Sequence, residues 1–128
     1  MKEFIDRSLK NSFVESFGVI HQMETLVFRN TDKDYTMSLL DVIVESDIND
    51  FDNLNDEERI LLIFLKLNLK TVLNYEIANN NSLTLFFENH WIKFNPKNEY
   101  EFLQIGGDSK EKIELLILNS DGTFSLWD

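Results

Sequence analysis

The chain has 128 residues and a mass of 15.1 kDa, so we expect residues 1–128 to form a single domain. It contains no cysteine, which excludes disulfides, thiolate metal sites and cysteine nucleophiles. Its 23 acidic and 12 basic side chains give a net charge of −11. Because phosphate groups repel so acidic a chain, nucleic acid is not an expected partner.

Two features of the sequence bear on its location. The first eleven residues lack the apolar run of a secretion signal. The longest apolar stretch, Ile60 to Leu65, has six residues, whereas a membrane-spanning helix needs about 20. We therefore expect a cytoplasmic protein without a membrane partner.

The first part of the chain predicts three β-strands. Phe13 to Ile20 and Glu24 to Arg29 form a predicted hairpin, in which Gly18 marks a bulge or a weak point. Tyr35 to Glu45 is rich in β-branched and aromatic residues and predicts a third strand. An acidic loop is expected over Ser46 to Asn55.

One long helix is predicted over Asp56 to Leu69. Asn55 can cap its first turn, and the acids at 56–58 lie where negative charge favours the helix dipole. The apolar residues that follow are spaced by three and four, and they extend nearly all round the helix. This pattern predicts a helix that is buried on more than one side.

The second part of the chain predicts further strands and two tight turns. The turns are Asn79 to Asn81, where Asn tolerates a left-handed conformation, and Asp121–Gly122. The predicted strands are Thr71 to Ala78, Ser82 to Glu88, Trp91 to Phe94, Tyr100 to Ile105, Lys112 to Leu118 and Thr123 to Trp127.

A weak internal repeat accompanies these elements. Shifted by 59 residues, Thr25, Leu26, Phe28 and Asn30 coincide with Thr84, Leu85, Phe87 and Asn89. The match is either a duplicated strand–turn–strand–strand unit or a chance likeness between two amphipathic hairpins. With one helix among about eight strand-like segments, we expect an α+β fold, in which the main helix packs on a largely antiparallel sheet built from hairpins.

The most unusual feature is an acidic segment from Asp41 to Glu58 that contains no Lys or Arg. Its eight acids are Asp41, Glu45, Asp47, Asp50, Asp52, Asp56, Glu57 and Glu58. They are either a solvated surface or a patch that docks on a basic protein, since complementary charge accelerates association. A calcium loop is a third interpretation, although the spacing differs from that of an EF-hand.

No catalytic signature accompanies this segment. His21 and His90 are the two histidines, each in a predicted turn, and Gly106–Gly107 does not lead into a helix as a phosphate loop would. Glu99 and Glu101 would share a strand face, but the sequence indicates no cleft around them. We expect no enzymatic activity, no metal site and no cofactor.

The aromatic residues are a second candidate surface. Phe86 and Phe87 are adjacent, so on one strand they point to opposite faces. Either both faces are covered, or one of these rings is exposed and can anchor a partner. Trp127, next to the last residue, is another candidate for such a surface.

In its size, its charge, the acidic run Asp41 to Glu58 and its lack of active-site motifs, the chain resembles the small acidic immunity proteins of bacterial polymorphic-toxin and contact-dependent inhibition systems. Such proteins are single cytoplasmic domains, often α+β, that neutralise a cognate toxin by binding it. The resemblance implies that the eight acids bind the C-terminal domain of a toxin, for which a basic nuclease is the expected kind.

A further resemblance and two alternative functions remain open. The hairpin Val72 to Phe87, the stretch Pro96 to Phe102 and Trp127 are similar to an uncharacterised family of small bacterial domains, which carries Gly where this chain has Leu69 or Lys70. The alternative functions are a small-molecule or carbohydrate binding module that uses an aromatic-rich sheet face, and a structural or adaptor subunit.

Overall fold

The computed structural model describes residues 1–98, 100–107 and 113–128, which form two helices and ten strands. The helices are α1 (Lys2–Ser8) and α2 (Asp56–Leu67). The strands are β1 (Phe13–Ile20), β2 (Met23–Asn30), β3 (Lys33–Leu39), β4 (Val42–Ser46), β5 (Asn74–Ile77), β6 (Leu83–Phe86), β7 (Trp91–Pro96), β8 (Glu101–Gly107), β9 (Glu114–Asn119) and β10 (Phe124–Trp127). The α+β class is confirmed, and the paired strands run antiparallel to one another.

The strands form two sheets where the sequence predicted one. The larger sheet has the order β1-β2-β3-β8-β9-β10, and the smaller sheet has the order β4-β7-β6-β5. The predicted single strand Tyr35 to Glu45 is wrong, because the chain passes from β3 in one sheet to β4 in the other. The N–H groups of Leu40 and Asp41 both donate to the carbonyl of Phe102, at 3.0 and 3.3 Å, and fix this crossing.

The order of one helix and four strands occurs twice along the chain. The first unit is α1 with β1 to β4, the second is α2 with β5 to β8, and β9 and β10 extend the second unit. Within each unit the first three strands lie side by side, but β4 pairs with β7 and β8 pairs with β3. The two units therefore exchange their fourth strands. Residues 59 positions apart on equivalent strands, such as Leu26 and Leu85 or Val44 and Leu103, are buried in both units.

Helix α2 packs against β1 and β2 through one face only. Its buried side chains are Ile60, Ile63, Phe64 and Leu67, and the Phe64 ring meets Phe17 edge to face at 6.4 Å. Leu65 on the opposite side is 56% exposed. The predicted burial on more than one side is therefore wrong, and α2 ends at Leu67, two residues before the predicted end.

Helix α1 was not predicted from the sequence. It has seven residues, and no side chain caps its first turn. So short a helix is unstable alone and depends on tertiary contacts. Phe4 and Ile5 are fully buried, and the Phe4 ring meets Tyr35 edge to face at 6.1 Å. In the part of the chain that the structure describes, no helix is long and apolar enough to cross a bilayer.

Both predicted hairpin turns are confirmed. Asn81 has a φ of 66° and Gly122 a φ of 90°, the left-handed conformations that their residue types favour. The irregularity of β1 lies at Glu15 and not at Gly18, since the register with β2 shifts between residues 14 and 16. The predicted start of β9 at Lys112 lies outside the described residues.

A buried carboxylate joins α1, β3 and β9. Glu114 is almost fully buried, and its carboxylate pairs with Lys33 and, at 3.5 Å, with Arg7. The hydrogen bond to Glu114 raises the pKa of Lys33. Arg7 also pairs with Asp128 at 2.5 Å, which ties the C-terminal residue to the first helix. Loss of the cations that pair with a buried carboxylate leaves an uncompensated charge, which strongly destabilises the fold.

Gly107 is the point at which this cluster is most sensitive. A Cβ atom there would lie 2.6 Å from Glu114 Oε2 and 3.2 Å from a ring carbon of Tyr35. We expect Gly107→Ala to lower the free energy of unfolding in urea by about 1–3 kcal/mol, because the carboxylate must move away from its cations. Gly106→Ala is the matched control, since its nearest side-chain atom would be 3.6 Å away. Equal stability of the two variants would contradict this interpretation.

The strand exchange predicts that the two sheets unfold together. Trp91 lies on β7 in the smaller sheet and Trp127 on β10 in the larger one, so each tryptophan reports on one sheet. In Trp127→Phe and in Trp91→Phe, we expect the fluorescence transition in urea to coincide with the transition followed by far-UV circular dichroism. Separate transitions in either variant would show that one sheet survives without the other.

Candidate partner-binding site

The acidic segment leads from the edge strand β4 of the smaller sheet to α2, and most of its charged side chains lie on the surface. It runs from the crossing before β4, along β4, through a connection without regular structure, and into the first turn of α2. Asp41 is half-buried, and the other seven acids, Glu45, Asp47, Asp50, Asp52, Asp56, Glu57 and Glu58, are exposed. The structure therefore places seven of the eight predicted residues where a partner can reach them.

Three of these acids also stabilise the local fold. Asp41 accepts a hydrogen bond from the N–H of Asn98 at 2.8 Å and so holds the crossing between the sheets. Glu58 forms a capping box with Asn55, in which each side chain accepts from the N–H group of the other residue. Asp56 pairs with Arg59 at 3.0 Å, and the same guanidinium donates to the carbonyl of Val44 on β4.

Asp47 connects the acidic segment to the loop between β6 and β7. Its Oδ1 accepts from the N–H of Trp91 at 3.0 Å, and its Oδ2 lies 3.1 Å from His90 Nδ1. Burial acts to raise the pKa of Asp47, but the hydrogen bonds from Trp91 and His90 outweigh it and lower the pKa. The carboxylate is thus held in its charged form at the end of β4.

Two further acids have weaker attachments. Glu45 accepts from the Asn95 side chain at 2.6 Å and faces Lys93 across the strand pair. Asp50 lies 3.5 Å from Lys66 on α2. No three acidic or histidine side chains among the described residues are grouped in a way that could hold a metal ion.

A cleft of about 640 Å³ is lined in part by His90, the side chain that lies 3.1 Å from Asp47 of the acidic segment. One wall is the connection from α2 to β5, and the other is the loop from β6 to β7, which includes Glu88 and His90. The predicted strand Thr71 to Ala78 is shorter than expected, because β5 begins only at residue 74. Leu69 and Leu73 on the first wall are 69% and 50% exposed.

Backbone hydrogen bonds hold the first wall of this cleft in place. The N–H of Leu69 donates to the carbonyl of Val14 on β1 at 2.7 Å, and the N–H of Leu73 donates to the carbonyl of Phe86 at 2.8 Å. The connection therefore bonds to the larger sheet at one end and to the smaller sheet at the other. The sequence missed these leucines, because an apolar residue beside a helix predicts burial and carries no signal for exposure.

The aromatic candidates are distributed over both sheets. Phe87 is buried and Phe86 is half-buried, so the adjacent rings do point to opposite sides. Phe86 is the cross-strand partner of Trp91, which is also half-buried. Trp127 is exposed on β10 of the other sheet. The aromatic residues thus offer a pair on the smaller sheet rather than one continuous face.

The other candidate groups do not assemble into a site. His21 is exposed in the hairpin turn between β1 and β2, and His90 lies on the cleft, on the other sheet. Glu99 lies outside the described residues, and Glu101 is exposed at the start of β8. The chain matches no protein-family model, no curated protein and no solved structure in the three comparisons.

The attachment of Asp47 predicts a pH-dependent contribution to stability. A carboxylate whose pKa is lowered by folding stabilises the protein above its unfolded pKa of about 3.9, and this stabilisation is lost as the pH falls through the folded pKa. We expect Asp47→Asn to be less stable than the wild type at pH 7, and the difference to close at low pH. Urea titrations between pH 7 and pH 2.5 measure it. Asp52→Asn, exposed in the same connection, should show no such gap.

Proposed function

We propose that this protein is an immunity protein that binds and neutralises a toxin domain through the acidic segment Asp41 to Glu58. The single observation that carries the proposal is the exposure of seven of its eight acids along one continuous piece of chain. The other 110 residues carry 15 acids and 12 bases, so the excess charge of the molecule is concentrated here. The proposal implies a cytoplasmic location and no catalysis by this chain.

A nuclease domain is the kind of toxin that this surface fits best. Such a domain must present Lys and Arg side chains to hold phosphate groups. Carboxylates compete for the same groups, and Arg binds a carboxylate through two parallel hydrogen bonds. Glu57 and Asp52 are exposed and thus available for such pairs. An inhibitor of this design covers the substrate site of the toxin without chemistry of its own.

The energetic effect of these charges is expected mainly in the rate of association. Solvent and salt screen much of the Coulomb attraction between charged groups at an exposed rim. Such groups therefore contribute little to the final affinity. At long range they act together, because their fields add before contact is made. Mutual repulsion within the segment is relieved by a cationic partner, which favours an interface over a purely structural role.

One alternative function has support from a specific contact. Phe86 and Trp91 are cross-strand neighbours on the smaller sheet, and both remain half-exposed. A pair of rings in this position could stack on a sugar or another flat small molecule. The ring pair lies on strands, whereas the acids that define the toxin interface lie mostly in the connection and on α2.

The test compares two triple variants that change the net charge by the same amount. Asp50→Asn, Asp52→Asn and Glu57→Gln remove exposed acids from the segment and leave the capping box intact. Glu3→Gln, Asp32→Asn and Glu101→Gln remove exposed acids elsewhere. With the C-terminal domain encoded by the adjacent upstream gene as partner, we expect the first variant alone to associate about tenfold more slowly at low salt.

The rate constants of both variants are measured by stopped-flow mixing over a range of salt concentrations. The first variant should also lose most of its salt dependence, because fewer charges contribute to steering. Equal rates for the two triple variants would exclude the acidic segment as the interface. An upstream domain that does not bind the wild-type protein would exclude the immunity function for this pair.

A further inference from the structure

Leu69 occupies a backbone conformation that its side chain disfavours. Its φ is 65°, in the left-handed region where a bulky residue with a Cβ is strained. Among the described residues, the other non-glycine residues with positive φ are Asn11, His21, Gln22, Thr31, Asn53 and Asn81, of which three are Asn, the type that tolerates this region best. The fold needs only the N–H of Leu69, which donates to Val14, and any residue other than proline supplies it.

The side chain of Leu69 contributes little to the core. It is 69% exposed, and Leu65, one helical turn earlier, is exposed as well. Exposure of one leucine is ordinary, and a left-handed residue is common just after a helix, but it is usually Gly or Asn, so the backbone position does not itself call for a leucine. Strained backbone conformations of this kind cluster at binding and active sites.

The cleft around Leu69 is apolar in part, and its polar lining carries both signs of charge, because Lys70 lies there as well as Glu88. Leu73 lines the same cleft, and Phe87, which is 7% exposed, forms its floor. The opposite wall carries Glu88 and His90, and His90 is held by Asp47 of the acidic segment. Protein–protein interfaces commonly have an apolar centre that is surrounded by a polar rim.

We propose that this cleft receives an apolar side chain from the basic protein that binds the acidic segment. The proposal rests on the proposed function and adds an anchor to it: the carboxylates accelerate the encounter, and the leucines slow dissociation. The anchor residue is expected to have Lys or Arg as neighbours, because Glu88 on the cleft and Asp47, which adjoins it through His90, outnumber the one lysine of the lining, Lys70.

The cleft fits this occupant better than two others. A second copy of the chain would bring two net charges of −11 together, and their repulsion opposes a dimer. A binding site usually buries roughly 70–90% of the surface of a small-molecule ligand. The walls here include two leucines that are at least half exposed, so a small ligand would remain largely in solvent.

The experiment uses two peptides of equal charge as probes. One is acetyl-Lys-Arg-Leu-Arg-Lys-amide, and the other has Ser in place of Leu. Binding to the full chain is followed by NMR chemical-shift titration. For the wild type we expect the leucine peptide to bind about fivefold more tightly than the serine peptide, with the largest shifts at Leu69 and Leu73. This preference should disappear in Leu69→Asn.

Two controls keep the result interpretable. Leu69→Asn should melt at or above the wild-type temperature, because Asn tolerates the left-handed conformation and little burial is lost. Ile113→Asn removes an equally exposed side chain, 73% exposed, beside β9 at the far end of the larger sheet, and it should keep the preference for leucine.

The cleft and the acidic segment can fail separately. If both peptides bind the wild type alike, or if Leu69→Asn retains the preference, the cleft is not an anchor site. The toxin-binding proposal would be unaffected, because it is tested with the upstream domain and the acid variants. If the preference holds but the acid variants bind the toxin domain at the wild-type rate, the cleft remains a site and the acidic interface is excluded.

Discussion

The exchange of fourth strands between the two units is the constraint on which the rest of the structure depends. Since β4 pairs with β7 and β8 with β3, neither sheet is complete without a strand from the other half of the chain. After β4, the chain must leave the smaller sheet and reach α2, which packs against β1 and β2 of the larger one. Ile48 of this connection is buried in the core, whereas the charged residues of the connection lie on the surface.

This path accounts for the position of the acidic segment and for the dual role of its residues. β4 is an edge strand, and an exposed edge invites pairing with another chain. Glu45 on that strand and the Arg59 side chain that bonds the carbonyl of Val44 both make such pairing less favourable. Protection of the edge and recognition of a cation are compatible, because the same negative charge opposes a second acidic chain and attracts a basic one.

Local signals predicted the parts of the fold that depend on neighbouring residues. The capped helix after Asn55 and the two hairpin turns need only the side chains found there, and they were predicted correctly. The division of Tyr35 to Glu45 into two strands depends on hydrogen bonds to Phe102, about 60 residues away in the chain, which no local pattern contains. The exposure of the acids was likewise predictable from charge alone, whereas the link from Asp47 to His90 was not, because 43 residues separate them.

That link gives the proposed interface its rigidity. Asp47 is bound by the N–H of Trp91 and by His90, so its carboxylate is fixed relative to the wall of the cleft before any partner arrives. The opposite wall is fixed at both ends, through Leu69 to Val14 and through Leu73 to Phe86. A site whose walls are already ordered loses less conformational entropy on binding than a flexible loop would. The strained conformation of Leu69 is tolerated because the hydrogen bond from its N–H to Val14 helps to connect the two sheets. The exchange of strands between the two units makes such a connection necessary.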